Sequence, residues 1–121
     1  MDINNDQFLF STENLLDSQC KEFTFYNQGI KTKGFAILSG SNIHAYHNAC
    51  PHTGAPLNWQ ENEFLNLEKS HIQCTLHGAC FEIDSGLCIF GPCLNKSLQS
   101  IDIKISNSEA RTMNANLSVR K

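Results

Sequence analysis

Apolar positions along this chain come in short runs that mostly alternate with polar ones. The stretch "EFTFY" (22–26) sets Phe23 and Phe25 on one side, the period-two signature of a strand with one buried face. "GFAILSGSNIHAYH" carries two apolar runs, 35–38 and 43–46, joined by Ser39-Gly40-Ser41-Asn42, which is hairpin chemistry. "FEIDSGLCIF" repeats the arrangement around the turn Asp84-Ser85-Gly86, and "LQSIDIKIS" spaces Leu98, Ile101, Ile103 and Ile105 loosely at period two. "MNANLSV" puts Met113, Ala115, Leu117 and Val119 on one face of an expected last strand. Only "STENLLDSQCKE" predicts a short helix, with Ser11 or Thr12 as cap and Leu15 and Leu16 as its apolar side. Many short strands separated by turn signals argue an all-β sandwich or small antiparallel barrel.

With 121 residues and no repeat, linker or low-complexity tract, the chain reads as one domain over 1–121. Nine Lys and Arg are scattered among twelve Asp and Glu, for a net charge of −3. That balance offers no basic patch to nucleic acid or anionic lipid. No apolar run is long enough to span a membrane, and "MDINNDQFLF" lacks the basic lead of a secretory signal. The expected location is the cytoplasm. There, six cysteines favour metal binding over a disulfide framework.

The interval of about 48–93 stands apart from its flanks. It holds all three prolines, five of the six cysteines and three of the five histidines. Two mixed pairs lie within it, "CPH" (Cys50, His52) and "CTLH" (Cys74, His77), giving C-x-H, twenty-one residues, then C-x-x-H. Each is followed at once by glycine-containing sequence, so each is expected at the tip of a turn. Structural zinc is one reading, since Cys2His2 sites are usually zinc. Zinc fingers, however, segregate their cysteines from their histidines and carry the latter on a helix. Mixed pairs suit a two-iron, two-sulfide cluster in which one iron takes both thiolates and the other both imidazoles.

In these motifs the chain resembles the Rieske family over 50–92. The resemblance implies one [2Fe-2S] cluster per chain, with Cys50 and Cys74 on the inner iron and His52 and His77 on the outer. It also implies an antiparallel β core carrying a small cluster-binding subdomain of loops at about 48–93. "FGPC" (90–93) becomes a third, proline loop over the cluster, where the amides of Gly91 and Cys93 are the ones to examine.

Departures from the respiratory branch set the expected subtype. Ala55 and Leu76 stand where that branch has the cysteines of an inter-loop disulfide. Ala79 and Phe81 stand where it has a serine and a tyrosine that donate hydrogen bonds to the cluster. Fewer donors leave the reduced state less stabilised, so the expected potential falls towards the lower end of roughly −150 to +300 mV. The pattern is similar to soluble ferredoxin-type Rieske proteins. It implies a one-electron carrier rather than an enzyme, running from a flavoprotein reductase to a terminal oxygenase. The implied docking rim is Pro51, Thr53, Gly54, Leu76, Gly78 and Pro92. A subunit of a larger reductase, such as a nitrite reductase, and a structural zinc domain are the competing readings. The chain has no room for the further domain that houses the mononuclear iron of a complete oxygenase.

The remaining polar and sulfur residues read as structural. Cys20, Cys80, Cys88 and Cys93 are expected as buried thiols acting as small hydrophobes, with Cys88 opposite Cys80 across the turn. His44 and His47, three apart on a strand, point to opposite faces, and His71 is expected at the surface. Trp59 is expected to pack the first loop, and Glu61, Glu63 and Glu68 to be solvated.

Overall fold

The structure is a computed structural model that describes residues 7–112, except 14, 52, 59, 76 and 77. Among the described residues, nine strands form three antiparallel three-stranded sheets. β2 (Cys20–Asn27), β3 (Ile30–Ser39) and β4 (Asn42–His47) make the central sheet, in sequence order. β1 (Phe8–Ser11), β9 (Glu109–Thr112) and β8 (Ile103–Ser106) make a terminal sheet in the order β1-β9-β8. β5 (Ile72–Gln73), β6 (Cys80–Phe81) and β7 (Cys88–Phe90) form the third. The all-β expectation holds, and so does the hairpin turn between 39 and 42.

Register explains how one sheet serves two cores. Phe35 pairs with Tyr46 and Ile37 with Cys20 and His44, so these side chains share a face. Ala36 pairs with Ala45, and Phe23 with Gly34, on the opposite face. The first face packs Phe35, Ile37 and Tyr46 against Leu57, Phe64, Ile72, Phe81 and Leu98, together with Cys50, Cys74, Cys88 and Cys93. The second packs Phe23, Phe25, Ala36 and Ala45 against Leu9, Phe10 and Ala110 of the terminal sheet. Because β3 is covered on both sides, Gly34, Phe35, Ala36 and Ile37 are all buried in succession.

Three sequence expectations are corrected. Of the stretch 11–22, Ser11 ends β1, residues 20–22 begin β2, the described residues between them run through turns, and no helix occurs among the described residues. The Leu15 amide donates to the Thr12 carbonyl and the Gln19 amide to the Leu16 carbonyl, but Ser18 takes φ +65° and breaks the path. Leu16 is consequently exposed. The period-two run 98–105 is not one strand: Leu98 joins the first core while Ile101 and Ile103 pack against the second. Cys88 lies opposite Phe81 and Cys80 opposite Phe90, with a register slip between Cys80 and Phe81. The expected strand at 113–119 lies outside the described residues.

Tyr46 ties the third sheet to the central one. Its hydroxyl donates to the Ile83 carbonyl at 2.6 Å, and its ring lies where a side chain at Gly86 would project. Phe64 is brought in by the excursion 60–73, and its ring stacks on Phe35 with centroids 4.0 Å apart and 6° between planes. Such a pair adds about 1 kcal/mol beyond its buried area.

Candidate metal centre

Cys50 and Cys74 sit at equivalent points of two short loops. The Cys50 amide donates to the Ala55 carbonyl (2.8 Å) and the Gly54 amide to the Cys50 carbonyl (2.7 Å). The Cys74 amide donates to the Ala79 carbonyl (2.8 Å) and the Gly78 amide to the Cys74 carbonyl (2.9 Å). Both loops therefore close by the same pair of hydrogen bonds, Cys to Ala five residues on and Gly four residues on back to Cys. Gly54 and Gly78 take φ of +80° and +72°, the left-handed conformation that a residue with a side chain resists. The sequence carries this equivalence as Cys, three residues, Gly-Ala in both "CPHTGA" and "CTLHGA". It is masked there because the histidine stands at a different offset in each loop.

Neither cysteine is left at the surface: Cys50 is 2% exposed and Cys74 is 0% exposed. The two loops are tied directly, since both the amide (3.1 Å) and the hydroxyl (3.0 Å) of Thr75 donate to the Leu57 carbonyl. The first loop is also anchored from behind. The buried Asn48 carboxamide accepts from the Leu57 amide (2.8 Å) and donates to the Asn58 side chain (3.0 Å). Asn58 in turn donates to the Glu22 carboxylate on β2 (2.7 Å), which also accepts from the Asn62 amide (2.8 Å). Sequence reasoning did not foresee this relay, because its members are spread from 22 to 62 and no periodicity links them.

A third loop, leaving the end of β7, closes over the second. The Cys88 amide donates to the Lys96 carbonyl (2.7 Å) and the Asn95 amide to the Cys88 carbonyl (3.1 Å), bracketing 89–94. Gly91 has φ +108°, and a Cβ there would come within 2.7 Å of the Ala79 Cα. Only glycine lets the two backbones approach this closely. Pro92 is exposed at the tip, and Cys93 points inward at 1% exposed.

No disulfide links the cysteines. The Cys93 and Cys88 sulfurs are 3.2 Å apart, and the Cys88 thiol donates to the Phe90 carbonyl (3.2 Å). Burial pushes the Cys93 thiol up to about 12, with the hydrogen bond to Cys88 and the neighbouring Cys50 adding to it. Burial also pushes Cys20 up to about 12 and raises Cys80. These three are thiols at neutral pH, as small hydrophobes should be. Cys20 and Cys80 are only half-buried.

His52, His77, Leu76 and Trp59 lie outside the described residues. Among the described residues no three His, Cys, Asp or Glu side chains gather closely enough to hold a metal ion. The donors the structure does describe fit a two-iron cluster better than a zinc finger: two buried cysteines on two matched loops, one in each mixed motif. His44, His47 and His71 are half-buried and belong elsewhere. His47 packs edge-on against Phe25, and burial lowers its pKa. His71 Nδ1 lies 2.9 Å from the Ser70 hydroxyl. Of the expected docking rim, Thr53, Gly54 and Pro92 are exposed, while Pro51 and Gly78 are half-buried. Exposed Phe90 and Leu94 beside it were not foreseen. Phe90 ends β7. No helix of the described residues is long and apolar enough to cross a membrane.

Three comparisons bear on this geometry. The family model described as Rieske [2Fe-2S] domain matches residues 7–107. No curated protein sequence matches. Among solved structures, the chain is similar to the ferredoxin of carbazole 1,9a-dioxygenase from Nocardioides aromaticivorans IC177, at 19% identity and TM-score 0.66, covering 89% of this chain and 96% of that one. A structure titled as a complex of reduced oxygenase and oxidized ferredoxin in carbazole 1,9a-dioxygenase matches at 16% identity and TM-score 0.66, covering 88% of this chain and 91% of that one. The terminal oxygenase of carbazole 1,9a-dioxygenase from Novosphingobium sp. KA1 matches at 14% identity and TM-score 0.69, covering 92% of this chain but 30% of that one.

Proposed function

The chain belongs to the Rieske [2Fe-2S] domain family, and from that premise we propose that it is a one-electron carrier serving a terminal oxygenase. In this reading Cys50 and Cys74 hold the inner iron and His52 and His77 the outer. The bound cluster supplies reversible storage of a single electron. The protein's own part is to hold two thiolates dry, fixed and close to the surface. The observation that carries the reading is the identical closure of the two cysteine loops, each by the same two backbone hydrogen bonds.

What the residues do follows from where they sit. The reciprocal bonds between Cys and Ala and between Gly and Cys fix each cysteine's backbone, so the sulfurs need not reorganise when the charge on the site changes. Thr75 and the relay through Asn48, Asn58 and Glu22 hold the loops against the central sheet. Gly91 lets the third loop lie on the second and exclude water. The adjoining surface of Thr53, Gly54, Phe90, Pro92 and Leu94 is exposed and carries no charged side chain. That suits a small interface that forms and releases quickly. The similarity to a ferredoxin seen in complex with its oxygenase supports a terminal oxygenase as acceptor and a flavoprotein reductase as donor. The cytoplasm is the proposed location.

The test is anaerobic purification followed by reductive titration and gel filtration. The proposal expects iron and acid-labile sulfide in equal amounts, uptake of one electron per chain, and elution of the loaded protein without a large flavin or haem subunit. Colourless protein containing zinc would overturn the cluster. Permanent co-elution with a large reductase would make the chain a subunit rather than a carrier.

A further inference from the structure

A chain of hydrogen bonds connects β2 to both cysteine loops. The amide and the hydroxyl of Thr75, the residue after Cys74, donate to the Leu57 carbonyl at 3.1 and 3.0 Å. The Leu57 amide donates to the Asn48 carboxamide oxygen at 2.8 Å, and Asn48 stands just before the first loop. Asn48 donates to the Asn58 oxygen (3.0 Å), and Asn58 donates to Glu22 Oε2 (2.7 Å).

The direction of this chain is forced from the Glu22 end. Asn58 faces two groups that can only accept, the Glu22 carboxylate and the Gln60 carbonyl at 3.0 Å. Its nitrogen must turn to them and its oxygen to Asn48. Asn48 must then offer its nitrogen to Asn58, which leaves its oxygen for the Leu57 amide. The opposite orientation would set donor against donor at Leu57, a fully buried residue. Glu22 is itself fixed, since Oε2 also accepts from the Asn62 amide (2.8 Å) and the Glu22 amide donates to the Asn62 side chain (2.8 Å).

We propose that Glu22 is a positioning residue for the metal site, the acceptor that orients Asn58 and Asn48 and through Leu57 locks the two ligand loops to each other. This rests on the reading of Cys50 and Cys74 as cluster ligands. Bonds in such a chain polarise one another, and the 2.7 Å bond to the carboxylate is its charge-assisted member. Removing that acceptor leaves Asn58 held by the Gln60 carbonyl alone. The loss is felt where the two loops meet, at Leu57 and Thr75.

The experiment compares loaded wild type with Glu22→Ala and Glu22→Gln. Cluster release to a chelator is read from the loss of visible absorption, and amide exchange by mass spectrometry. On the scale of a hydrogen bond to a charged group, Glu22→Ala should speed both release and exchange at Leu57 and Thr75 about tenfold. Glu22→Gln keeps an acceptor oxygen and should restore both rates to within about twofold of wild type. Phe25→Leu, on the same strand but in the other core, should lower the unfolding midpoint without speeding release. Wild-type exchange at Leu57 and Thr75 in Glu22→Ala overturns the proposal and leaves the ligands untouched. So does a Glu22→Gln protein no better than Glu22→Ala, or equal acceleration in Phe25→Leu. Wild-type protein that binds no cluster overturns the ligand reading itself. If Glu22→Ala fails to fold, Asn58→Ala carries the test, because it breaks the chain without touching β2. It should speed exchange at Thr75, and an unchanged rate there rejects the relay.

Discussion

On one face of the central sheet, Phe35, Ile37 and Tyr46 meet Cys50, Cys74 and Cys93; on the other, Phe23, Phe25, Ala36 and Ala45 meet Leu9, Phe10 and Ala110. The fully buried residues of the second core all lie on strands, with aromatic rings in contact, such as Phe10 on Phe23 at 5.5 Å. The first recruits loops, and loops bring backbone polar groups that must be satisfied in the interior. That is why Asn48, Thr75 and the paired loop closures appear only there.

The largest expected difference between the two follows from removing a ligand. Cys74→Ala should abolish the visible absorption of the cluster, while Phe10→Ala should leave absorption per folded chain unchanged. The latter should still cost about 3–5 kcal/mol in denaturant unfolding. Loss of the cluster from Phe10→Ala under folding conditions would show that the two cores are not separable. Stripping the iron sharpens the same contrast. Hydrogen exchange at the amides of Cys50, Gly54, Cys74 and Gly78 should accelerate strongly, while amides of β2 and β3 keep their protection. Uniform acceleration in both regions would contradict the division.

A smaller effect separates the loops from one another. Gly91→Ala drives a Cβ into the Ala79 backbone at 2.7 Å from a left-handed φ, and should cost about 2–4 kcal/mol with loss of cluster retention. Gly54→Ala has a similar φ of +80° but open space around it, and should cost only about 1 kcal/mol. Equal thermal shifts in the two variants would remove the close contact of the third loop from the account.

The smallest effect belongs to the terminal side. His47 packs against Phe25, and burial lowers its pKa below the ordinary 6.5. As pH falls through 6.5 the unfolded chain takes up a proton that the folded chain refuses, so stability falls with pH in that window. Above 6.5 this contribution is flat. His47→Gln should flatten the slope, measured by unfolding midpoints across the window, and an unchanged slope would assign it to another group.

Much of this was legible in the sequence because the information was local. The hairpin at 39–42, the turn at Asp84-Ser85-Gly86 and the two mixed Cys/His pairs each declare themselves within a few residues. What was not legible depended on partners far along the chain. Leu15 and Leu16 look like a helical side, but the segment is pinned instead by the Ser18 amide donating to the Leu38 carbonyl at 2.7 Å. Cys88 pairs with Phe81 rather than Cys80, and its sulfur lies 3.2 Å from that of Cys93, a neighbour on the next loop. β1 was missed because Leu9 and Phe10 are buried against residues distant in the chain, and β1 itself pairs with β9 about a hundred residues later.

The central claim, that two matched loops with mixed ligands hold one two-iron cluster, is tested most directly by electron paramagnetic resonance of the dithionite-reduced protein. The account predicts a signal whose average g value lies below that of an all-cysteine two-iron cluster, because nitrogen ligates one of the irons, and predicts that His77→Ala removes or alters it. An average g value typical of four-cysteine ligation, or a spectrum unchanged in His77→Ala, would contradict it.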